Sequence, residues 1–488
     1  MNEMMIFADL YTARADVFLA IAALALLVVG VFVKGRGLYT ICVMAAMVLV
    51  ATLVMVLQQD NPREAVSVFN NMMVYDRYGV FMKVLILLGG IAALFIGVRD
   101  LRSHVIGRFE YAVLILLSIL GLSIMVSAND MLTLYVGLEL SSLALYILAA
   151  FNRNSLISSE AGLKYFILGA LSSGMLLFGI SLIYGFTGTT SFPLIADIIA
   201  MEQGAEISMP LIIGFVFVLV GIAFKISAVP FHMWTPDVYQ GSPACVTAFF
   251  AMAPKVAAVA LLGRLLFSVF GEIESDWVQI IYVLSLASMV VGAFAGLAQK
   301  NIYRLMAYSS IGNIGFALLG FIAGGLTGVT ATLMFMAIYF MMTAGIFALI
   351  ITVRDKNDIA AVKLSDFAGL SQKSKSVSYS LAFLLLSMIG IPPLAGFFGK
   401  LFVFKAVIGA GYYVLAIVGL VTSVVAAYYY LKLIKIMFFD QPSSDNFKIQ
   451  STYIARWVSI PTMVFVIGYI LFPDRLYYEA TQAALSLN

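Results

Sequence analysis

Phe224-Lys225-Ile226-Ser227-Ala228-Val229-Pro230-Phe231-His232-Met233-Trp234-Thr235-Pro236 puts a lysine five residues ahead of a proline, inside a long apolar run. Proline removes one backbone donor and clashes with the preceding turn, so a helix breaks here and a carbonyl near 226 loses its partner. A second break reads Gly390-Ile391-Pro392-Pro393-Leu394-Ala395-Gly396-Phe397-Phe398-Gly399-Lys400, with carbonyls near 388–389 freed and a lysine close behind. In a bilayer such groups must be paired again, and water in a protein-lined cavity is one means. The charges are equally demanding, since a lysine at the bilayer centre costs about 2.5–3.5 kcal/mol on insertion scales. A lysine beside each break is the layout of an ion pathway. The competing reading is a packing kink with a snorkelling lysine.

Working outward, the chain has 488 residues, 63% of them hydrophobic and 11% charged, with a mean hydropathy of +1.05. A soluble domain would carry about twice that charge. Apolar runs recur from end to end, which excludes a soluble enzyme with a single anchor. The expectation is an all-α polytopic membrane protein of about 14 transmembrane helices, near 16–33, 38–57, 79–98, 111–128, 130–151, 163–185, 210–239, 244–268, 278–298, 302–323, 326–352, 380–408, 411–438 and 456–472. Spans four to eight (111–268) and nine to thirteen (278–438) make two five-helix units, inverted because five is odd, with the seventh and twelfth helices broken. An N-terminal three-helix segment (1–110) and a C-terminal helix (439–488) flank them.

Charge then chooses the side. With the N-terminus outside, seventeen of the 28 basic residues fall on the inner side and five outside, namely Arg14, Arg63, Arg77, Arg264 and Arg475. The other six, Lys83, Lys164, Lys225, Lys255, Lys400 and Lys405, lie within spans. Both termini are therefore expected on the periplasmic side. Met1 to Asp16 lacks a basic n-region, so the first helix is expected to stay in the mature protein. The polar stretch from Arg354 to Ser378 is a solvated cytoplasmic linker, with a lipid-headgroup site as the alternative. The outer loop from Ser191 to Met209 suggests no function. Cys42 and Cys245 suit small apolar fillers and are too few for an Fe–S cluster or an all-cysteine zinc site.

Five ionisable residues are candidates for moving an ion. Glu139 lies about ten residues into the fifth span and Lys164 at the start of the sixth. Such a carboxylate–lysine pair can store a proton, or merely tie two helices together. Lys225 falls near the middle of the seventh span, Lys255 follows Pro254 inside the eighth, and Lys400 plays the matching part in the second half. Lys83 and Lys405 read as interfacial anchors. His232, Tyr308 and Ser309 are candidate relays, with Ser310, Asn313, Ser172 and Ser173 as further polar positions; helix packing is the alternative for the small ones. His104 reads as loop. A Walker loop, a dinucleotide fingerprint and a Cys/His ligand cluster are all lacking. Neither a cofactor nor a metal is expected in this chain, nor nucleic acid among its partners, and energy must come from an ion gradient or a partner protein.

Gly137-Leu138-Glu139-Leu140-Ser141-Ser142-Leu143 and Gly162-Leu163-Lys164-Tyr165-Phe166, with the stretch from Lys225 to Tyr239 and Arg304-Leu305-Met306-Ala307-Tyr308-Ser309-Ser310-Ile311, resemble the antiporter-like membrane subunits of respiratory complex I. The resemblance runs across nearly the whole chain. It implies proton translocation in a bacterial inner membrane, driven by electron transfer from NADH to quinone in other subunits. Flavin, Fe–S clusters and quinone would then sit in those partners, which include related antiporter-like subunits in a lipid bilayer. By motif, Glu139 and Lys164 match the family's coupling pair, Lys225 the seventh-helix lysine, Lys255 the connecting lysine and Lys400 the exit-half lysine. Asn313 departs from the histidine expected in many relatives. A subunit of a sodium/proton antiporter and a passive scaffold remain as alternatives.

Overall fold

The computed structural model describes residues 2–33, 37–59, 65–103, 107–201, 209–355, 358, 360–441, 447–449 and 453–487. Its helices, in chain order, begin with α1 (Asn2–Thr12), α2 (Arg14–Phe32), α3 (Gly37–Leu57), α4 (Arg77–Ser103), α5 (Glu110–Ser127), α6 (Met131–Ala149), α7 (Leu156–Thr187), α8 (Phe192–Met201), α9 (Met209–Ile226) and α10 (Trp234–Gly241). They continue with α11 (Ala244–Ala251), α12 (Ala253–Arg264), α13 (Glu274–Leu297), α14 (Ile302–Ala323), α15 (Gly325–Ile350), α16 (Leu370–Lys373), α17 (Lys375–Ile389), α18 (Ala395–Gly409), α19 (Tyr413–Phe439), α20 (Tyr453–Gly468) and α21 (Pro473–Leu485). Two short antiparallel ladders, Val66–Val68 with Met73–Tyr75 and Val353–Asp355 with Phe447–Ile449, depart from the all-helical expectation.

Among the described residues, twelve helices are long and apolar enough to cross a membrane, or thirteen if the bent pair at the C-terminal end counts as one span. The difference from fourteen lies at 380–408. That stretch is two 15-residue helices, α17 and α18, on either side of residues 390–394. Fifteen residues reach about 22 Å, short of a hydrocarbon core of about 30 Å, so neither crosses alone. The first proline break behaves alike: α9 stops at Ile226 and helix resumes only at Trp234.

Local chemistry sets several helix ends. Asp130 caps α6 by accepting from the Leu132 and Thr133 backbone N–H groups at 2.8 and 3.2 Å. Ser155 and Ser374 cap α7 and α17, and Gly390 ends α17 at φ 95°, where a side chain would be strained. Helices then approach through missing side chains. A Cβ on Gly179 of α7 would sit 2.5 Å from the Gly214 carbonyl of α9, and one on Gly292 of α13 would sit 2.5 Å from the Gly312 nitrogen of α14. The innermost segments are Ala244–Val269 and α15, each 94% buried over its apolar window, while α2 is only 33% buried and faces outward.

Three charges expected at the surface are instead buried in pairs. Lys83 bonds Asp16 at 2.8 Å, and that carboxylate also accepts from Tyr75 at 2.7 Å and Ser123 at 2.5 Å. Arg264 grips Asp76 through two bonds of 2.8 and 3.0 Å. Arg354, in the supposedly solvated linker, bonds Asp100 at 2.6 Å with both side chains buried. A charge removed from water needs a partner, and each of these carboxylates lies at least 67 positions away in sequence, beyond the reach of local pattern. Lys405 remains exposed, as an anchor would be. In the outer loop, α8 packs Phe192, Ile195 and Ile199 inward. His104, Lys34, Arg36, Arg63, Glu202, Glu206 and Lys356 lie outside the described residues.

Candidate functional site

At the first break, side-chain donors meet the carbonyls at the end of α9, where the Phe224 carbonyl also accepts from the Ser227 backbone N–H at 3.1 Å. Trp234 Nε1 donates to the Phe224 carbonyl at 2.9 Å. Lys255 Nζ, from the buried α12, donates to the Ile226 carbonyl at 2.8 Å and also to Ser227 Oγ, which accepts in turn from Thr235 Oγ1 at 2.6 Å. The last carbonyl of a helix carries the negative end of its dipole, so an ammonium is well placed there. Lys225 points the other way. Its Nζ donates to Ser142 Oγ on α6 at 2.6 Å and stands 5.5 Å from the centre of the Tyr146 ring.

The second break repeats the arrangement. Lys400 Nζ donates to the Ile389 carbonyl, the last of α17, at 2.9 Å and to Ser423 Oγ on α19 at 2.7 Å, over the Phe316 ring at 5.0 Å. By contact, then, Lys400 matches Lys255 more closely than Lys225. In both breaks a lysine stands where water was expected to pair the freed carbonyl.

Each break opens on a small cavity. Lys225 and Lys255 line one of about 20 Å³ with Ser141, Ser142, Tyr165 and Trp234. Lys400 lines one of about 10 Å³ with Ser309, Asn313, Thr422 and Tyr430. A water needs about 10–15 Å³ of such space, so the first holds about one and the second is at the limit. Neither holds a file of waters. A proton path through either would have to use side-chain hydroxyls or single waters.

The anticipated Glu139–Lys164 pair is not formed. Glu139 accepts from Ser173 Oγ at 2.5 Å and lies close enough to Lys225 for their charges to interact. Lys164 bonds Glu160 at 2.7 Å and Asp237 at 2.8 Å, and Arg304 reaches the other oxygen of Asp237 at 2.5 Å. Ser173 is nine residues beyond Lys164 on α7, about 13 Å along the axis, which puts the two charges at different depths. Asp237 and Arg304 went unrecognised as partners. The polar Thr235-Pro236-Asp237 directly after the break was the available signal.

The relay candidates separate. Ser309 Oγ bonds the Tyr430 hydroxyl at 2.5 Å, and Asn313 Nδ2 donates to the Ser309 carbonyl at 2.8 Å. Tyr308 is half-buried, and its hydroxyl makes no hydrogen bond among the described residues. His232 is half-buried with Nδ1 3.2 Å from the Pro230 carbonyl, while Trp234 stacks on Tyr165 at 4.5 Å.

One contrast organises these charges. Lys83, Arg264 and Arg354 are buried against carboxylates, whereas Lys225, Lys255 and Lys400 have no carboxylate within salt-bridge distance among the described residues. The first set is held by counter-ions. The second is held by hydroxyls and, for Lys255 and Lys400, by carbonyl dipoles.

Residues 128–426 match the family model described as NADH:quinone oxidoreductase/Mrp antiporter, TM. The chain is 47% identical to NADH-quinone oxidoreductase subunit N 1 of Rhizobium meliloti, over 98% of both chains. It is 45% identical to subunit N of Paramagnetospirillum magneticum, over 98% of this chain and 97% of that one. Among solved structures, a chain of respiratory complex I from Thermus thermophilus is similar at 31% identity and a TM-score of 0.80, covering 95% of this chain and 98% of that one. A chain of the Mrp complex from Dietzia superposes with a TM-score of 0.85 at 21% identity, over 98% of this chain and 97% of that one, a likeness of fold alone. The chain belongs to the NADH:quinone oxidoreductase/Mrp antiporter membrane family, on its subunit N branch.

Proposed function

We propose that this chain carries protons across a bacterial inner membrane as a membrane subunit of NADH:quinone oxidoreductase, driven by redox chemistry in its partner subunits. The observation that supports this most is the pair of lysines, Lys255 and Lys400, bonded to the terminal carbonyls of α9 and α17 without a counter-ion. In this reading Lys225 takes protons under the influence of Glu139. Lys255, in the same cavity, accepts from it, and Lys400 delivers to the outer side. Lys164 acts through Asp237 and Arg304, as part of an ion network near the start of α7.

Segments 111–268 and 278–438 form two inverted five-helix units, with α9/α10 and α17/α18 as their interrupted spans. The 1–110 segment and the 439–488 segment flank them, and both termini face the periplasm. Flavin, Fe–S clusters and quinone belong to partner subunits, related antiporter-like subunits among them. The sodium/proton antiporter reading has the Mrp half of the family description and a 21% identical fold likeness in its favour, against relatives 45–47% identical that are subunits N of NADH-quinone oxidoreductase. The test uses the assembled complex in sealed inverted vesicles. Lys225→Ala should leave the complex intact and NADH oxidised, with proton uptake sharply reduced. Undiminished uptake would mark the chain as a passive scaffold, and uptake that requires sodium would favour the antiporter reading.

A further inference from the structure

Where α14 ends and α15 begins, at one membrane surface, a cavity of about 590 Å³ lies between those helices, α18 and the start of α21. Thr327 and Met334 both line it, so it runs about 10 Å along α15, into the depth of the span. Ala323, Met334 and Phe402 make that part apolar, and Phe402 packs on Tyr477 of α21 at 5.6 Å. Lys405, one turn before the end of α18, and Asp474, in the first turn of α21, bring two charges to the same cavity. α21 turns 96° from the preceding helix, the posture of a helix laid along the membrane surface. Next to these lining residues in the chain, Leu401, Ile408, Leu471 and Phe472 are apolar and exposed, the composition of a surface that meets acyl chains.

Among the described residues, neither Lys405 nor Asp474 has an ion-pair or hydrogen-bond partner. They share a cavity without closing on each other, which leaves space for a ligand carrying the complementary pair of charges. Water would solvate both but leave the apolar stretch at Met334 and Phe402 bare, whereas an acyl chain covers it. Headgroup chemistry narrows the choice. A phosphate accepts from the lysine ammonium, and a primary ammonium offers three N–H donors to a carboxylate. A choline headgroup has no such donor, and a glycerol headgroup would set its phosphate charge against Asp474 with no cation between them. Pockets of about 300–1,000 Å³ enclose a drug-sized group, which here is the headgroup with the upper part of one chain.

We propose that this cavity binds one phosphatidylethanolamine molecule, with its phosphate on Lys405, its primary ammonium on Asp474 and an acyl chain against Met334 and Phe402. The lipid then joins the surface helix α21 to α18, the segment that carries Lys400.

The test uses the assembled complex, washed in detergent and placed in nanodiscs of equal parts phosphatidylethanolamine, phosphatidylglycerol and phosphatidylcholine with the same acyl chains. Re-extracted complexes are then compared by native mass spectrometry for the lipid they retain. The unaltered complex should keep one phosphatidylethanolamine whose occupancy falls about fivefold in Lys405→Met, the effect of one cation near a headgroup. Asp474→Asn should retain phosphatidylglycerol as readily as phosphatidylethanolamine, because the repelling carboxylate is gone. Both residues are exposed, so both variants should assemble as the unaltered complex does. Equal retention in Lys405→Met would overturn the proposal, as would an unaltered complex with no preference for phosphatidylethanolamine, or a preference that survives in Asp474→Asn. Displacement of the lipid by soluble glycerophosphoethanolamine would mark a site for the headgroup alone and overturn the part played by the acyl chain. An unaltered complex that retains no lipid there would give the cavity to a neighbouring subunit, which overturns the proposal equally.

Discussion

A lysine in the interior of this protein is defined by what it touches. Lys83 has Asp16 at 2.8 Å, and Lys400 has only a carbonyl and a serine hydroxyl. Removing Lys83 leaves Asp16 buried without its counter-ion, a loss of about 3–5 kcal/mol. Lys83→Met should therefore lower the thermal stability of the detergent-solubilised complex and its yield, with proton uptake per NADH unchanged in what assembles. Unaltered stability would place Asp16 in contact with water. The sequence put Lys83 and Lys400 within spans but could not show which was paired, and it missed the burial of Arg264 and Arg354. Lys83 and Lys400 look alike in an apolar run, and only the third dimension brings Asp16 to one of them. The same blindness misjudged Glu139 and Lys164, whose motifs lie on successive helices while Lys164 stands nine residues, about 13 Å along α7, from the serine that Glu139 bonds.

At the scale of elements, proline and glycine carry the argument. Pro230 cannot donate to the Ile226 carbonyl, four residues back, and that carbonyl is the one Lys255 holds. Pro230→Ala restores a competing N–H donor. It should weaken the grip of Lys255 and reduce proton uptake while the complex still assembles; full uptake would mean that the break itself is dispensable. Gly179 and Gly292 act differently, since a side chain at either meets backbone across the helix contact. Gly179→Val should force α7 from α9 and abolish assembly, read as loss of the intact complex on a native gel. The two breaks were legible from sequence because proline is a local signal, and their ends at Ile226 and Ile389 fall within a residue of the expected carbonyls. The short ladder at 66–75 was not, because three-residue strands leave too little period to detect.

Across the whole molecule, the buried ion pairs tie distant segments together: Asp76 on the way into α4 to Arg264 at the end of α12, and Asp100 of α4 to Arg354 beyond α15. The N-terminal helices are thereby fastened to the segment that carries Lys255. In the proposed orientation, with the basic residues concentrated on the inner side of the spans, both termini face the periplasm. A cysteine at Leu485 should react with an impermeant maleimide added to intact spheroplasts, and one at Ser374 should react only in inverted vesicles. The reverse pattern would invert the whole assignment of entry and exit.

The central claim is that lysines held by carbonyl dipoles at broken helices hand protons across the membrane. The most direct measurement is the number of protons taken up per NADH oxidised by liposomes containing the assembled Lys400→Met complex. The account predicts a ratio well below that of the unaltered complex, with the complex intact. An unchanged ratio would contradict it.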